Sequence, residues 1–129
     1  MEVLLVDDQA TTVQVYAASV RKTFGGAKVY IAVDLPEALQ IAAGRPLDLV
    51  LLDLSLASSK GVDTVARFRS RFPDVPVLVV SASEDKARIL ACLAAGASGY
   101  VSKMSALLAL PDAMRTVAAG GRYVPPQAH

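Results

Sequence analysis

Leu49-Val50-Leu51-Leu52-Asp53 is the stretch on which the fold turns: four apolar residues without polar alternation, ended by a carboxylate. A strand wetted on one face alternates apolar with polar. An unbroken apolar run suits a strand covered on both faces of a parallel sheet. Comparable runs stand at residues 3–6 (VLLV), 28–32 (KVYIA), 77–81 (VLVVS) and 99–102 (GYVS). Between them apolar residues recur at helical spacing. Val13, Tyr16, Val20 and Phe24 share one face of a first helix. Asp34-Leu-Pro-Glu37 reads as a capped start of a second, with Leu35, Ala38, Leu39 and Ala42 as its buried stripe and Gly44 as its stop. Val62, Val65 and Phe72 mark a third, ended by Pro73. Residues 84–94 form a fourth, closed by Gly96, and a fifth ends at Gly120-Gly121. Five strands alternating with five helices predict a doubly wound α/β fold with right-handed crossovers.

Composition bounds the function. The chain has 129 residues, 53% hydrophobic and 19% charged, enough for one buried core and too apolar for disorder. Thirteen Lys and Arg against twelve Asp and Glu leave +1, so charge gives no reason to bind nucleic acid or an anionic membrane. Arg67, Arg69 and Arg71 read as one solvated helix face. The single cysteine, Cys92, lies in an apolar helix and reads as a small core residue; no Cys/His set for zinc exists. The longest uncharged stretch, residues 89–102, is too short to span a bilayer, and the N-terminus lacks a signal-peptide pattern. The expectation is a cytoplasmic domain over residues 1–121, with 122–129 as a tail or the start of a linker.

The polar residues fall where such a sheet binds ligands, beyond the carboxyl ends of its strands. The first strand ends in Asp7-Asp8, the third in Asp53 and the fourth in Ser81; Lys103 follows the fifth. Strand order 2-1-3-4-5 places all of them around one crevice, with the switch point between Asp7/Asp8 and Asp53. Two carboxylates 5 Å apart repel by about 3 kcal/mol at an effective dielectric of 20. Either one holds a proton or a cation sits among them. Hard oxygen donors without His or Cys favour Mg²⁺. A lysine and a hydroxyl opposite suit the oxygens of a phosphoryl group, and one Asp would then be its nucleophile.

This constellation resembles the receiver domain of two-component response regulators. The resemblance runs over essentially the whole chain and rests on LLVDD (4–8), LVLLDL (49–54), VLVVSAS (77–83) and GASGYVSK (96–103). It implies a flavodoxin-like fold that takes a phosphoryl group from a sensor histidine kinase with Mg²⁺. The resemblance implies a signalling protein rather than a turnover enzyme. By position, Asp53 is the phosphoacceptor, Asp8 a direct metal ligand and Asp7 a ligand mainly through water. Ser55 offers a backbone carbonyl to the metal. Ser81 is the switch hydroxyl, Tyr100 the switch aromatic and Lys103 the phosphate-pairing cation. Ser55 and Ser83 stand where the family tunes the lifetime of the phosphoryl group. GASGYVSK followed by VAAGGRYVPP (117–126) is similar to the NarL/LuxR type of transcriptional regulator. In that type DNA is bound only through an output domain, absent from these residues, so the expectation is either a receiver cut from a longer factor, the favoured reading, or a stand-alone descendant.

Two departures stand out. Ala57 and Ser58 replace the proline and glycine usual after the acceptor. Pro111 falls inside the fifth helix, which predicts a regular helix starting near Leu110 or Pro111 and a turn or separate short helix over 104–109. After Arg88 the fourth helix has almost no polar face, which means either deep burial or an apolar partner face. A homodimer through the fourth and fifth helices is the partner expectation. The competing readings are weaker. A haloacid-dehalogenase-type phosphatase needs a second Asp where Ser55 stands. A nucleotide or flavin module needs phosphate loops that are missing. A degenerate receiver, binding partners without phosphorylation, is the remaining alternative.

Overall fold

The run at 49–53 forms the central strand. The computed structural model describes residues 1–56 and 59–128. Five strands, β1 (Glu2–Val6), β2 (Lys28–Ala32), β3 (Leu49–Asp53), β4 (Val77–Ser81) and β5 (Gly99–Ser102), lie parallel in the order β2-β1-β3-β4-β5. This is the flavodoxin-like order. Register aligns Leu5 with Leu51, Leu51 with Leu78, and Leu78 with Gly99.

Helices cover both faces, which explains why the strands do not alternate. One face packs α2 (Leu35–Ala43), α3 (Val62–Arg71) and α4 (Lys86–Ala94) on Leu4, Val6, Val50, Leu52, Val77 and Val79. The other packs α1 (Ala10–Thr23) and α5 (Ala106–Ala118) on Val3, Leu5, Leu49, Leu51, Leu78 and Val80. Successive residues point to opposite faces, and both faces are dry. β2 is an edge and is only partly buried.

The helix ends follow their caps. Asp34 accepts from the Glu37 amide at 2.9 Å, and the Glu37 carboxylate accepts from the Val33 amide at 3.0 Å. α4 starts at Lys86, two residues later than expected, because the Asp85 carboxylate caps the Arg88 amide at 3.1 Å. Gly96, at φ +112, ends it, and a Cβ there would meet Arg69 at 3.1 Å.

Pro111 does not set the start of α5, which corrects the sequence expectation. The helix begins at Ala106 and runs through it. The ring costs one bond, that to the Leu107 carbonyl, and falls in the second turn. The turn before it stays bonded, since the Leu108 and Ala109 amides both donate to the Ser105 carbonyl, at 3.1 and 2.9 Å. Leu107 is exposed, so water can serve its carbonyl. The ambiguity over α4 also resolves. Ile89, Cys92 and Leu93 are buried, and Leu90 is its one large exposed apolar side chain.

A short antiparallel pairing of Ser55–Leu56 with Ser59–Lys60 follows β3. Ala57 and Ser58, the altered loop positions, lie outside the described residues, as does His129. Among the described residues no helix is long and apolar enough to cross a membrane.

Candidate functional site

Strand order reverses between β1 and β3, so their carboxyl ends flank one crevice. Asp7 and Asp8 follow β1, and Asp53 is the last residue of β3. One carboxylate oxygen from each lies within 4.8 Å of the others. Asp7 and Asp53 are buried, and Asp8 is exposed. Backbone bonding sets this contrast. The Asp7 amide donates to the Ala32 carbonyl at 3.0 Å, which keeps Asp7 on the sheet before the chain turns outward at Asp8.

Asp7 is incompletely matched. Its Oδ1 accepts from the Gln9 amide at 2.8 Å, while its Oδ2 is buried without a partner among the described residues. Burial pushes its pKa above the ordinary 3.8, with Asp53 and Asp8 adding to the rise. The Gln9 amide and Lys103 oppose it in part. An orphaned buried carboxylate oxygen beside two further carboxylates is the donor set of a hard divalent cation. These residues therefore fit Mg²⁺. Ser55, expected to lend its carbonyl, directly follows Leu54 in the short pairing after β3.

Opposite lie the groups of β4 and β5. The Lys103 Nζ approaches Asp53 Oδ2 at 3.5 Å, and the Lys103 amide donates to the Ser81 carbonyl at 2.8 Å. That second bond fixes the start of the lysine stem at the crevice. Ser81 is buried, and its hydroxyl accepts from the Ser83 amide at 3.3 Å. Tyr100 is fully buried, and its hydroxyl donates to the Ser83 carbonyl at 2.7 Å. The tyrosine therefore lies inward, beneath the β4–α4 connection. Burial raises its hydroxyl above the usual 10, and the oxygens of Ser81 and Ser83 pull it partly back. The structure thus brings Asp7, Asp8, Asp53 and Lys103 together and sets Ser81, Ser83 and Tyr100 on the adjoining wall.

Two residues at the rim escaped the sequence reading. Tyr16 of α1 shares a void of about 10 Å³ with Asp7, Asp53, Leu51 and Val80. Burial and both carboxylates push its phenol upward. It belongs to the apolar stripe of α1, so its spacing signals only core. Arg88 of α4 reaches towards Gly61, the N-cap of α3, and its Nε is buried without a partner among the described residues. Nothing in its sequence context marks that.

The response regulator receiver domain family model matches residues 3–115. Among curated proteins, the chain is 31% identical to a glycerol metabolism activator of Pseudomonas putida, over 97% of this chain and 57% of that protein. It is 33% identical to the transcriptional activator protein ExaE of Pseudomonas putida, over 96% of this chain and 58% of that one. The chain therefore spans less than two thirds of the length of these relatives. Among solved structures, a LuxR-family two-component response regulator from Aurantimonas sp. SI85-9A1 superposes with a TM-score of 0.89 at 28% identity. The match covers 98% of this chain and 91% of that one. The isolated receiver domain of RcsB from Salmonella enterica, described in the presence of phosphomimetic BeF3-, shares the fold at TM-score 0.89 and 20% identity, over 99% and 95% of the two chains.

Proposed function

The chain belongs to the response regulator receiver domain family, and from that premise we propose that Asp53 is its phosphoacceptor. Receivers of two-component systems are signalling regulators, and this one is related to transcriptional regulators. The observation that carries the assignment is the buried Asp53 carboxylate, 3.5 Å from Lys103 and within 4.8 Å of two further carboxylates.

The chemistry follows from that placement. A carboxylate oxygen of Asp53 attacks the phosphorus of a phosphohistidine on a sensor kinase. The P–N bond breaks, and the leaving imidazole keeps that electron pair. Lys103 neutralises a phosphoryl oxygen, acting as a fixed charge in a poorly solvated crevice. Asp8, Asp53, the Ser55 carbonyl and, through water, Asp7 would hold Mg²⁺, which when bound offsets phosphoryl charge. Ser81 turns its hydroxyl from the Ser83 amide to the phosphoryl group. Ser55 and Ser83, each two residues beyond Asp53 and Ser81 in sequence, are the positions that set the lifetime of the acyl phosphate. Tyr100, already inward, reports the change to α4. The domain catalyses its own phosphorylation without being a turnover enzyme. Residues 1–121 carry this function.

The partner face of a homodimer lies at the start of α5 rather than along α4. Met104, Leu107 and Leu108 are 85%, 77% and 91% exposed, against 44% for Leu90 on α4. Leu107 also borders a groove of about 370 Å³ between α1 and α5, with Tyr16, Leu110 and Pro111 in its walls. Lys22 and Arg115 line the same groove, and the exposed Asp112 is on the same helix. A projecting leucine beside a groove, with both charges at hand, suits a twofold pairing with a second copy. Leu107→Asp with Leu108→Asp should change stability by only about 0.5 kcal/mol, as surface substitutions do. Sedimentation should show it abolishing phosphorylation-linked dimers; unchanged dimers would remove this face.

The function is tested by intact-mass spectrometry after incubation with Mg²⁺ and acetyl phosphate. Wild type should gain one phosphoryl group and Asp53→Asn none. No gain in folded wild type from either acetyl phosphate or a phosphorylated kinase domain would leave a phosphorylation-independent interaction module.

A further inference from the structure

Residues 122–128 are docked on the molecule. Tyr123 runs parallel beside Gly99 at the free edge of β5: its amide donates to the Ser98 carbonyl at 3.0 Å, and its carbonyl accepts from the Tyr100 amide at 3.2 Å. Arg122 donates to the Leu93 carbonyl at the end of α4 at 3.0 Å. The Gln127 side-chain amide donates to the Glu84 carboxylate, at the head of α4, at 2.7 Å. Ala128, in the 3-10 turn Pro126–Ala128, is buried in the same core cluster as Ile89 and Cys92 of α4. The segment thus holds both ends of α4 and the backbone of Tyr100.

The sheet is built to receive it. A Cβ on Gly99 would meet Leu78 at 2.9 Å and Tyr123 at 3.1 Å, so a side chain at 99 would push the segment away. Docking also covers a strand edge that would otherwise offer unpaired amides and carbonyls.

We propose that residues 122–128 form a strap whose docking is coupled to the phosphorylation state of Asp53, an inference that rests on the phosphoacceptor assignment above. The connection runs through adjoining groups. Ser81 Oγ holds the Ser83 amide, Ser83 O holds the Tyr100 hydroxyl, and Glu84, next in sequence, holds Gln127. When Ser81 turns to the phosphoryl group it gives up the Ser83 amide. The β4–α4 connection then shifts, and Glu84 withdraws from Gln127. Phosphorylation therefore loosens the strap. By linkage, a loosened strap favours the phosphorylated state by the same factor.

Hydrogen exchange at the Tyr123 and Tyr100 amides reads the strap directly, with mass spectrometry on the same sample reporting phosphorylation. In phosphorylated protein both amides should exchange about fivefold faster, a coupling within the usual range. Ala128→Asp should loosen the strap without phosphate and tighten beryllofluoride binding, with Mg²⁺, by the same factor. Should that variant fail to fold, Gln127→Ala removes one exposed hydrogen bond and should act in the same direction, more weakly. Unchanged or slower exchange in a sample shown to be phosphorylated overturns the coupling and leaves the receiver assignment standing. Failure to phosphorylate overturns both.

Discussion

The two walls of the crevice differ in how completely their polar atoms are matched. At the ends of β4 and β5, Ser81, Ser83, Tyr100 and the Lys103 backbone bond to one another. At the ends of β1 and β3, three carboxylates converge, and one buried oxygen of Asp7 has no partner among the described residues. The first wall is a finished hydrogen-bond network that a ligand must rearrange. The second is an electrostatic debt that a cation would settle. A switch needs both: an attractive end that draws the ligand in, and a matched end whose rearrangement can be read elsewhere.

Substitutions on each wall sharpen this contrast. Asp53→Asn should abolish acyl-phosphate formation outright. Lys103→Ala should slow phosphorylation by acetyl phosphate about a hundredfold, the size of one lost charge-stabilising group in a crevice of this kind; a rate within twofold of wild type would place the lysine outside the chemistry.

Asp7→Asn should divide the two properties of the acid wall. Without metal it should raise stability by about 1–2 kcal/mol, because a buried orphan carboxylate costs that order of free energy. With Mg²⁺ the advantage should shrink, and metal affinity, read by titration, should fall. Loss of stability in metal-free buffer would show the acid wall to be as well matched as its neighbour.

Tyr100→Phe probes the matched wall with the smallest effect, about 1 kcal/mol for one hydrogen bond. The Tyr100 hydroxyl is held above its usual 10, so above that pH the folded protein keeps a proton that the unfolded chain releases. Its contribution is complete below pH 10 and is lost as pH rises through the folded value. Chemical denaturation from pH 7 to 11 should show a shallower alkaline fall in the variant.

Much of this was legible in the sequence. The interior strands are covered on both faces, so each is an apolar run, and the polar residues that end β1, β3 and β4 line the candidate site: Asp7, Asp8, Asp53 and Ser81. Asp34 and Glu37 announced their cap because the interaction is local. What stayed hidden depends on packing between distant segments. Pro111 predicted a broken helix, but in the second turn of α5 it costs one bond at an exposed residue. The apolar α4 and the more mixed α5 gave no sign of which would be covered: α4 lies against α3 and the strap, while Leu107 and Leu108 at the start of α5 stay exposed. Tyr16 looks like any core position of α1, since its spacing carries no trace of the carboxylates below it. The strap was read as a tail. Its signals, Gly99 and Tyr123, acquire meaning only when strand and tail lie side by side.

Reductive mapping of the phosphorylated protein tests the central claim most directly. Borohydride converts an aspartyl phosphate to homoserine, and tandem mass spectrometry of the peptides locates it. Homoserine at position 53 alone is the predicted result. Homoserine at 7 or 8, or a phosphoryl group on a serine, would contradict the assignment of Asp53 as the nucleophile.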